Sequence, residues 1–247
     1  SNGNNFAGIT VTPAITSGYT VTVTDNKGCV NTDSVTVTVN LLPIPFAGND
    51  TAICNGSEIT LQASGGTVYQ WSPTTGLSNP YISNPVANLS VITTYTVTVT
   101  DINNCSAADN IIITVNPLPN ASAGTDKEIC FGDSVTITAS GGDVYIWNSS
   151  DSSVTITKSH VVTTTYSVTV TDVNGCVNTD SMLLIVHPLP VAEAGAGQTL
   201  CFGQSTILTA SGGIIYLWSN GNNLAGITVM PAITSGYTVT VTDNKGC

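Results

Sequence analysis

The chain contains no arginine. Its 247 residues hold four lysines against fifteen aspartates and glutamates, a net charge of −11. No segment offers the basic stripe that displaces counterions from a phosphate backbone, which excludes a nucleic-acid partner. The same shortage excludes attraction to an anionic membrane surface. Apolar residues come in short β-branched runs broken by Thr, Gly and Pro, and none approaches the roughly 20 residues of a spanning helix. No membrane insertion is therefore expected of this segment, which reads as soluble. Histidine occurs only at His160 and His187, with no His-Glu-x-x-His motif and no Cys/His arrangement around either, so an enzyme is not expected. Aromatic residues make up only 6%, too few for a broad stacking surface.

What the sequence does contain is repetition. "YTVTVTDNKGC" runs from Tyr19 to Cys29 and recurs letter for letter from Tyr237 to Cys247, with relatives ending at Cys105 and Cys176. These four cysteines are 76, 71 and 71 residues apart, well beyond solenoid periods, so each unit is long enough to own a core. Residues 1–29 match 219–247 at 27 of 29 positions, differing only at Phe6/Leu224 and Thr12/Met230. Three units thus form a larger block that is itself repeated. The expected organisation is a partial repeat over 1–40, complete repeats over 41–116 and 117–187, and a repeat lacking its last strand over 188–247. "VNLLPIPFAG", "VNPLPNASAG" and "VHPLPVAEAG" sit at the three junctions, where proline removes ladder donors and stiffens an extended connection.

Within each repeat, stretches such as "SVTITAS" (Ser134 to Ser140) and "YTVTVTD" (Tyr95 to Asp101) alternate with period two, Val and Ile on one face and Thr on the other. That pattern writes strands. No helical period longer than a turn occurs, and turn signals such as "ASGG" and "NGC" recur at the spacing of an all-β sandwich. A Tyr-x-Trp pair follows each "ASGG" turn and places Trp71, Trp147 and Trp218 on the third strand. Core packing is the first reading of these tryptophans. A sugar-stacking platform is the second.

"AGTDKEICFGDSVTITASGGDVYIW" followed by "TTTYSVTVTDVNGC" resembles the PKD-like and immunoglobulin-like repeats of Bacteroidetes surface adhesins and gliding-motility-associated proteins. The resemblance implies tandem immunoglobulin-like (PKD-like) β-sandwiches, export by the type IX system, and display at the cell surface. It also implies O-glycosylation at Asp-Ser/Thr-apolar tripeptides, which here mark Ser34, Thr51, Ser134 and Ser181.

Seven cysteines without CxxC or Cys/His spacing read as a disulfide framework formed in an oxidising compartment, outside the cytosol. Each later repeat has one cysteine before its second strand (Cys54, Cys130, Cys201) and one in its last hairpin (Cys105, Cys176, Cys247). Pairing within repeats would join Cys54 to Cys105, Cys130 to Cys176 and Cys201 to Cys247. In an immunoglobulin-like sandwich these positions lie at opposite ends, separated by about 20 Å of strand, whereas a disulfide needs Cα atoms within about 7 Å. Staples between repeats, Cys54 to Cys176 and Cys130 to Cys247, are the preferred expectation. Asp25, Asp101, Asp172 and Asp243 each precede the hairpin turn, where aspartate caps the backbone. Calcium is the sharper alternative and the one cofactor to test, with Asp50, Asp101, Asp126 and Asp172 as candidate ligands.

The sequence therefore predicts a structural segment of an extracellular adhesin or surface filament, a disulfide-stapled stalk. Its partners would be neighbouring repeats of the same or identical chains, with surface glycans or other cells as further targets. The alternative is a set of carbohydrate- or protein-binding modules, accessory to a secreted hydrolase.

Overall fold

The computed structural model describes residues 6–247, which divide into two units between Pro117 and Leu118. In the first unit the strands are β1 (Ser17–Thr24), β2 (Val30–Val37), β3 (Thr51–Cys54), β4 (Glu58–Thr60), β5 (Val68–Ser72), β6 (Val86–Asn88), β7 (Thr93–Thr100) and β8 (Ser106–Asn116). Strands β3 to β8 form a sandwich. One sheet has the order β3-β8-β7-β5, and β4 pairs with β6 in the other. β3 runs parallel to β8, while β7 is antiparallel to both β8 and β5. This Greek-key arrangement is immunoglobulin-like.

Alternation decides which residues enter the core. In β7 the side chains of Tyr95, Val97 and Val99 are buried and the intervening threonines are exposed, because successive residues of a strand face opposite ways. Leu61, Trp71, Ile111 and Ile113 complete that core. The β1–β2 hairpin has the same sequence pattern but a different environment. It pairs with itself from Ser17↔Val37 to Thr24↔Val30, and Val21, Val23, Val30 and Val35 stay exposed.

The second unit contains two cores. β9 (Lys127–Cys130), β10 (Ser134–Thr138), β11 (Val144–Trp147), β12 (Thr155–Ser159), β13 (Thr164–Thr171) and β14 (Val177–His187) repeat the plan, with one sheet ordered β11-β13-β14-β9 and the other formed by β10 and β12. Trp147, Tyr166, Val168, Met182 and Leu184 lie at its centre. The last core is built from β15 (Thr206–Thr209), β16 (Ile215–Trp218), β17 (Gly226–Val229) and β18 (Val239–Thr242), paired β15 with β17 and β16 with β18. Trp218, Ile227 and Val229 are buried there, while Leu208, Tyr237 and Val239 are only partly covered. No helix occurs among the described residues.

The "ASGG" turn and the Tyr-x-Trp pair are one device. The hydroxyl of Tyr69 donates to Gly66 O at 2.8 Å, Tyr145 to Gly142 O at 2.5 Å and Tyr216 to Gly213 O at 2.6 Å. A Cβ on Gly142 would lie 2.5 Å from Val170 Cγ1 and 2.7 Å from Thr171 O, so only glycine lets this turn lie against the neighbouring strand. Two residues after the tyrosine, Trp71, Trp147 and Trp218 are each 1% exposed. Their indole N–H groups donate to Ile82 O, Ser153 O and Leu224 O at 2.9, 2.9 and 3.0 Å. None is free to stack on a sugar, which overturns the platform alternative for these residues.

Candidate functional site

The candidate site of the second unit is the joint where the last hairpin meets the first strand of the preceding sandwich. Each hairpin cysteine is set by the aspartate four residues before it. Asp243 Oδ1 accepts from Lys245 N at 2.8 Å and Cys247 N at 2.9 Å. The same pair of bonds recurs at Asp25, Asp101 and Asp172. The residue before the cysteine has φ between 61° and 86° at all four turns, filled by Gly28, Asn104, Gly175 and Gly246. Glycine and asparagine tolerate that left-handed geometry. The backbone bonds from Cys247 and Lys245 hold the Asp243 carboxyl below its usual range, and those from Cys29 and Lys27 do the same for Asp25.

Cys247 is joined to Cys130 at the end of β9, with Cα atoms 5.4 Å apart and 117 residues between them in sequence. The bond links the edge strand of one core to the hairpin of the other. Polar contacts surround it. Glu128 Oε2 lies 2.7 Å from His187 Nε2 and 3.6 Å from Lys245 Nζ. The hydrogen bond with His187 and the charge of Lys245 draw the Glu128 carboxyl below the ordinary glutamate value.

Pairing within repeats does not form. Cys105 and Cys201 carry free thiols, as does Cys29, and Cys130 is bonded to Cys247. Strand length is the reason. Cys130 stands opposite His187, the last residue of β14, while Cys176 immediately precedes Val177, its first. About ten residues of strand put roughly 33 Å between the two, and Cys54 and Cys105 are set apart in the same way by β8.

The calcium candidates are dispersed. Asp50 Oδ1 accepts from Ile112 N at 2.8 Å, and Asp126 Oδ1 from Leu183 N at 2.7 Å. Asp101 and Asp172 are occupied with their hairpins. Among the described residues no three acidic, histidine or cysteine side chains converge as a metal site would require. The four aspartates act as backbone caps. Of the glycosylation candidates, Ser34, Ser134 and Ser181 are exposed and Thr51 is half-buried, all within strands.

Sequence reasoning missed the Glu128, His187 and Lys245 cluster. A signal was present: Glu128 and Lys245 each stand two residues before a cysteine of the bonded pair, with opposite charges. The other cysteines carry Ala52, Thr199, Asn103, Asn174 or Lys27 at that position, so the charge pair is complete only here.

No family model and no curated protein matches the chain. Solved structures that resemble it include extracellular domains 3–5 of Drosophila OTK, with TM-score 0.37 and 11% identity over 70% of this chain and 71% of that one. An I-band fragment, I67–I69, of titin has TM-score 0.37 and 12% identity over 81% and 93%. The N-terminal eight immunoglobulin domains of the Down syndrome cell adhesion molecule have TM-score 0.35 and 15% identity. That match covers 94% of this chain and 46% of the other. The described residues contain no helix long and apolar enough to cross a membrane.

Proposed function

We propose that these 247 residues are a segment of an extracellular stalk, a tandem array of sandwiches whose joints are closed by disulfides so that pulling force passes from one repeat to the next. The supporting observation is the bond between Cys130 and Cys247, which crosses between two separate cores rather than stabilising one. By sequence position alone, Cys54 and Cys176 are assigned the equivalent staple. A disulfide framework belongs to an oxidising, extracellular setting. The resemblance to Bacteroidetes surface adhesins agrees with that placement, and glycans on Ser34, Thr51, Ser134 and Ser181 would shield Thr-rich strand edges from pairing. The tandem sandwiches are the four repeats with boundaries near residues 40, 116 and 187.

Single-molecule pulling on the oxidised chain, held at its two termini, tests this reading. A closed Cys130–Cys247 bond withholds 117 residues from extension, about 400 Å of contour. Adding reductant should release at least that length and lower the force at which the first sandwich opens. Equal contour lengths and forces in both conditions would refute the stalk.

A further inference from the structure

We infer that copies of this chain join end to end by strand exchange, with β2 of one copy entering the open edge of the last core of another. Two unpartnered features carry the inference, and they match in sequence. The first is β18, which has one neighbour, β16, whereas β7 and β13 each have two. Beside it lies a cleft of about 250 Å³, with Ala194, Leu200, Leu208, Trp218 and Tyr237 among its lining residues. In the complete sandwich of the same unit that space is filled by β14, whose Met182 and Leu184 are buried opposite Tyr166 and Thr164.

The second feature is β2. Val30–Ser34 reads VNTDS, as does Val177–Ser181 at the start of β14. Its current partner, β1, lies in the stretch from Tyr19 to Cys29 that is identical to Tyr237–Cys247. Moving β2 from β1 to a second copy's β18 therefore exchanges one strand for another of the same sequence, and the ladder bonds broken are formed again. What changes is burial. Val35 is 62% exposed beside Tyr19. In the register of β13 and β14, it would lie opposite Tyr237 and Val37 opposite Ser235, both over Trp218. Exchange of an identical element between protomers is a low-cost route to association, and an unpaired edge with an apolar groove is where an added strand binds.

Polar positions agree with the same register. In both complete sandwiches an aspartate of the last strand accepts a backbone N–H near the first strand: Asp109 from Ala47 at 2.9 Å and Asp180 from Ala123 at 2.8 Å. Ala194 is the equivalent residue of the last core, and Asp33 of the incoming strand is the equivalent acceptor. Asn178 Nδ2 donates to Pro119 O at 2.9 Å, and Asn31 would stand likewise to Pro190.

The exchange also fixes a cysteine partner. Cys130 meets the hairpin cysteine of the sandwich that follows it. If β2 of a second copy completes the last core, the sandwich that follows is that copy's own 41–116, whose hairpin cysteine is Cys105. Cys201 of one copy is thus assigned to Cys105 of the next, and both are free thiols within one chain. Their bond forms when the two thiols give up two protons and two electrons to a small disulfide such as oxidised glutathione, which leaves as two reduced thiols. This assembly extends the stalk proposal without requiring it, since the pulling result above concerns a bond inside one chain.

The test is the 247-residue chain incubated with oxidised glutathione over a range of concentrations. A ladder in steps of 25.3 kDa on non-reducing gels, with a Cys105-to-Cys201 peptide in the digest, is the expected result. Val35→Asp should abolish the ladder while Cys130–Cys247 and the circular dichroism spectrum persist, because Val35 is exposed in the single chain. Excess synthetic peptide spanning Val30 to Asn40 should suppress it. A chain that stays monomeric with both thiols titratable overturns the inference. So does a ladder that survives Val35→Asp, or one built on a different cysteine pair.

Discussion

At the scale of single residues, the joint depends on carboxylates that do different work. Asp243 shapes a turn, and its hydrogen bonds stay inside one hairpin. Glu128 reaches across the joint to Lys245 while holding His187, so its ionisation is felt by both cores. Its folded-state value is depressed, so the protonated form is disfavoured by folding. Its contribution is complete above the ordinary glutamate value near 4.5 and is lost as the pH falls through the lower folded value. Comparing melting temperatures of the wild type and Glu128→Gln from pH 7 to pH 3 isolates this group, because the other carboxylates titrate in both proteins. The wild type should melt higher above about pH 5, and the gap should close toward pH 3. A gap that is constant with pH would show that the carboxylate's charge is irrelevant to the joint.

At the scale of elements, a glycine's cost depends on what surrounds it rather than on its backbone angle alone. Gly142 sits where a Cβ would collide with Val170 and the carbonyl of Thr171, while a Cβ on Gly175 would meet nothing within 4 Å although its φ is +78°. Gly142→Ala forces the turn off the neighbouring strand and should cost about 2–3 kcal/mol, in the range of overpacked cores. Gly175→Ala bears only the left-handed strain of about 1–2 kcal/mol. Urea denaturation of the two variants checks the order, and a reversal would mean that the turn can shift away from its strand freely. The ring packing beneath is equally local: Trp147 and Tyr166 meet edge to face at 6.2 Å, as Trp71 and Tyr95 do at 6.4 Å.

At the scale of the whole molecule, the second unit relies on a cross-link because its last core is thin, with Leu208, Tyr237 and Val239 only partly covered. Closing a loop of 117 residues removes about 4–5 kcal/mol of chain entropy from the unfolded state on the loop-closure model. Cys130→Ser with Cys247→Ser should therefore lower the unfolding free energy of this unit by several kcal/mol, with the last core melting first. Hydrogen exchange resolved by peptide would show β15 to β18 losing protection before β9 to β14. Simultaneous loss across both cores would mean that they fold as one and that the staple adds nothing specific to the last.

The fold was legible because period-two alternation of Val, Ile and Thr admits only a strand with one buried face, and Gly and Pro mark where each strand ends. The Tyr-x-Trp pairs and the "ASGG" turns were legible as separate signals; their fusion through a phenol and a glycine carbonyl was not. Local sequence also placed every cysteine at a strand end or a hairpin. Which cysteine faces which was decided by tertiary register: β14 is eleven residues long and runs parallel to β9 from Leu184↔Lys127 to His187↔Cys130, so the two cysteines of one sandwich lie at opposite ends of it. Alternation determines what a residue faces within its own sheet. Only packing brings Glu128, His187 and Lys245 together, because they are distant along the chain and nothing local couples them.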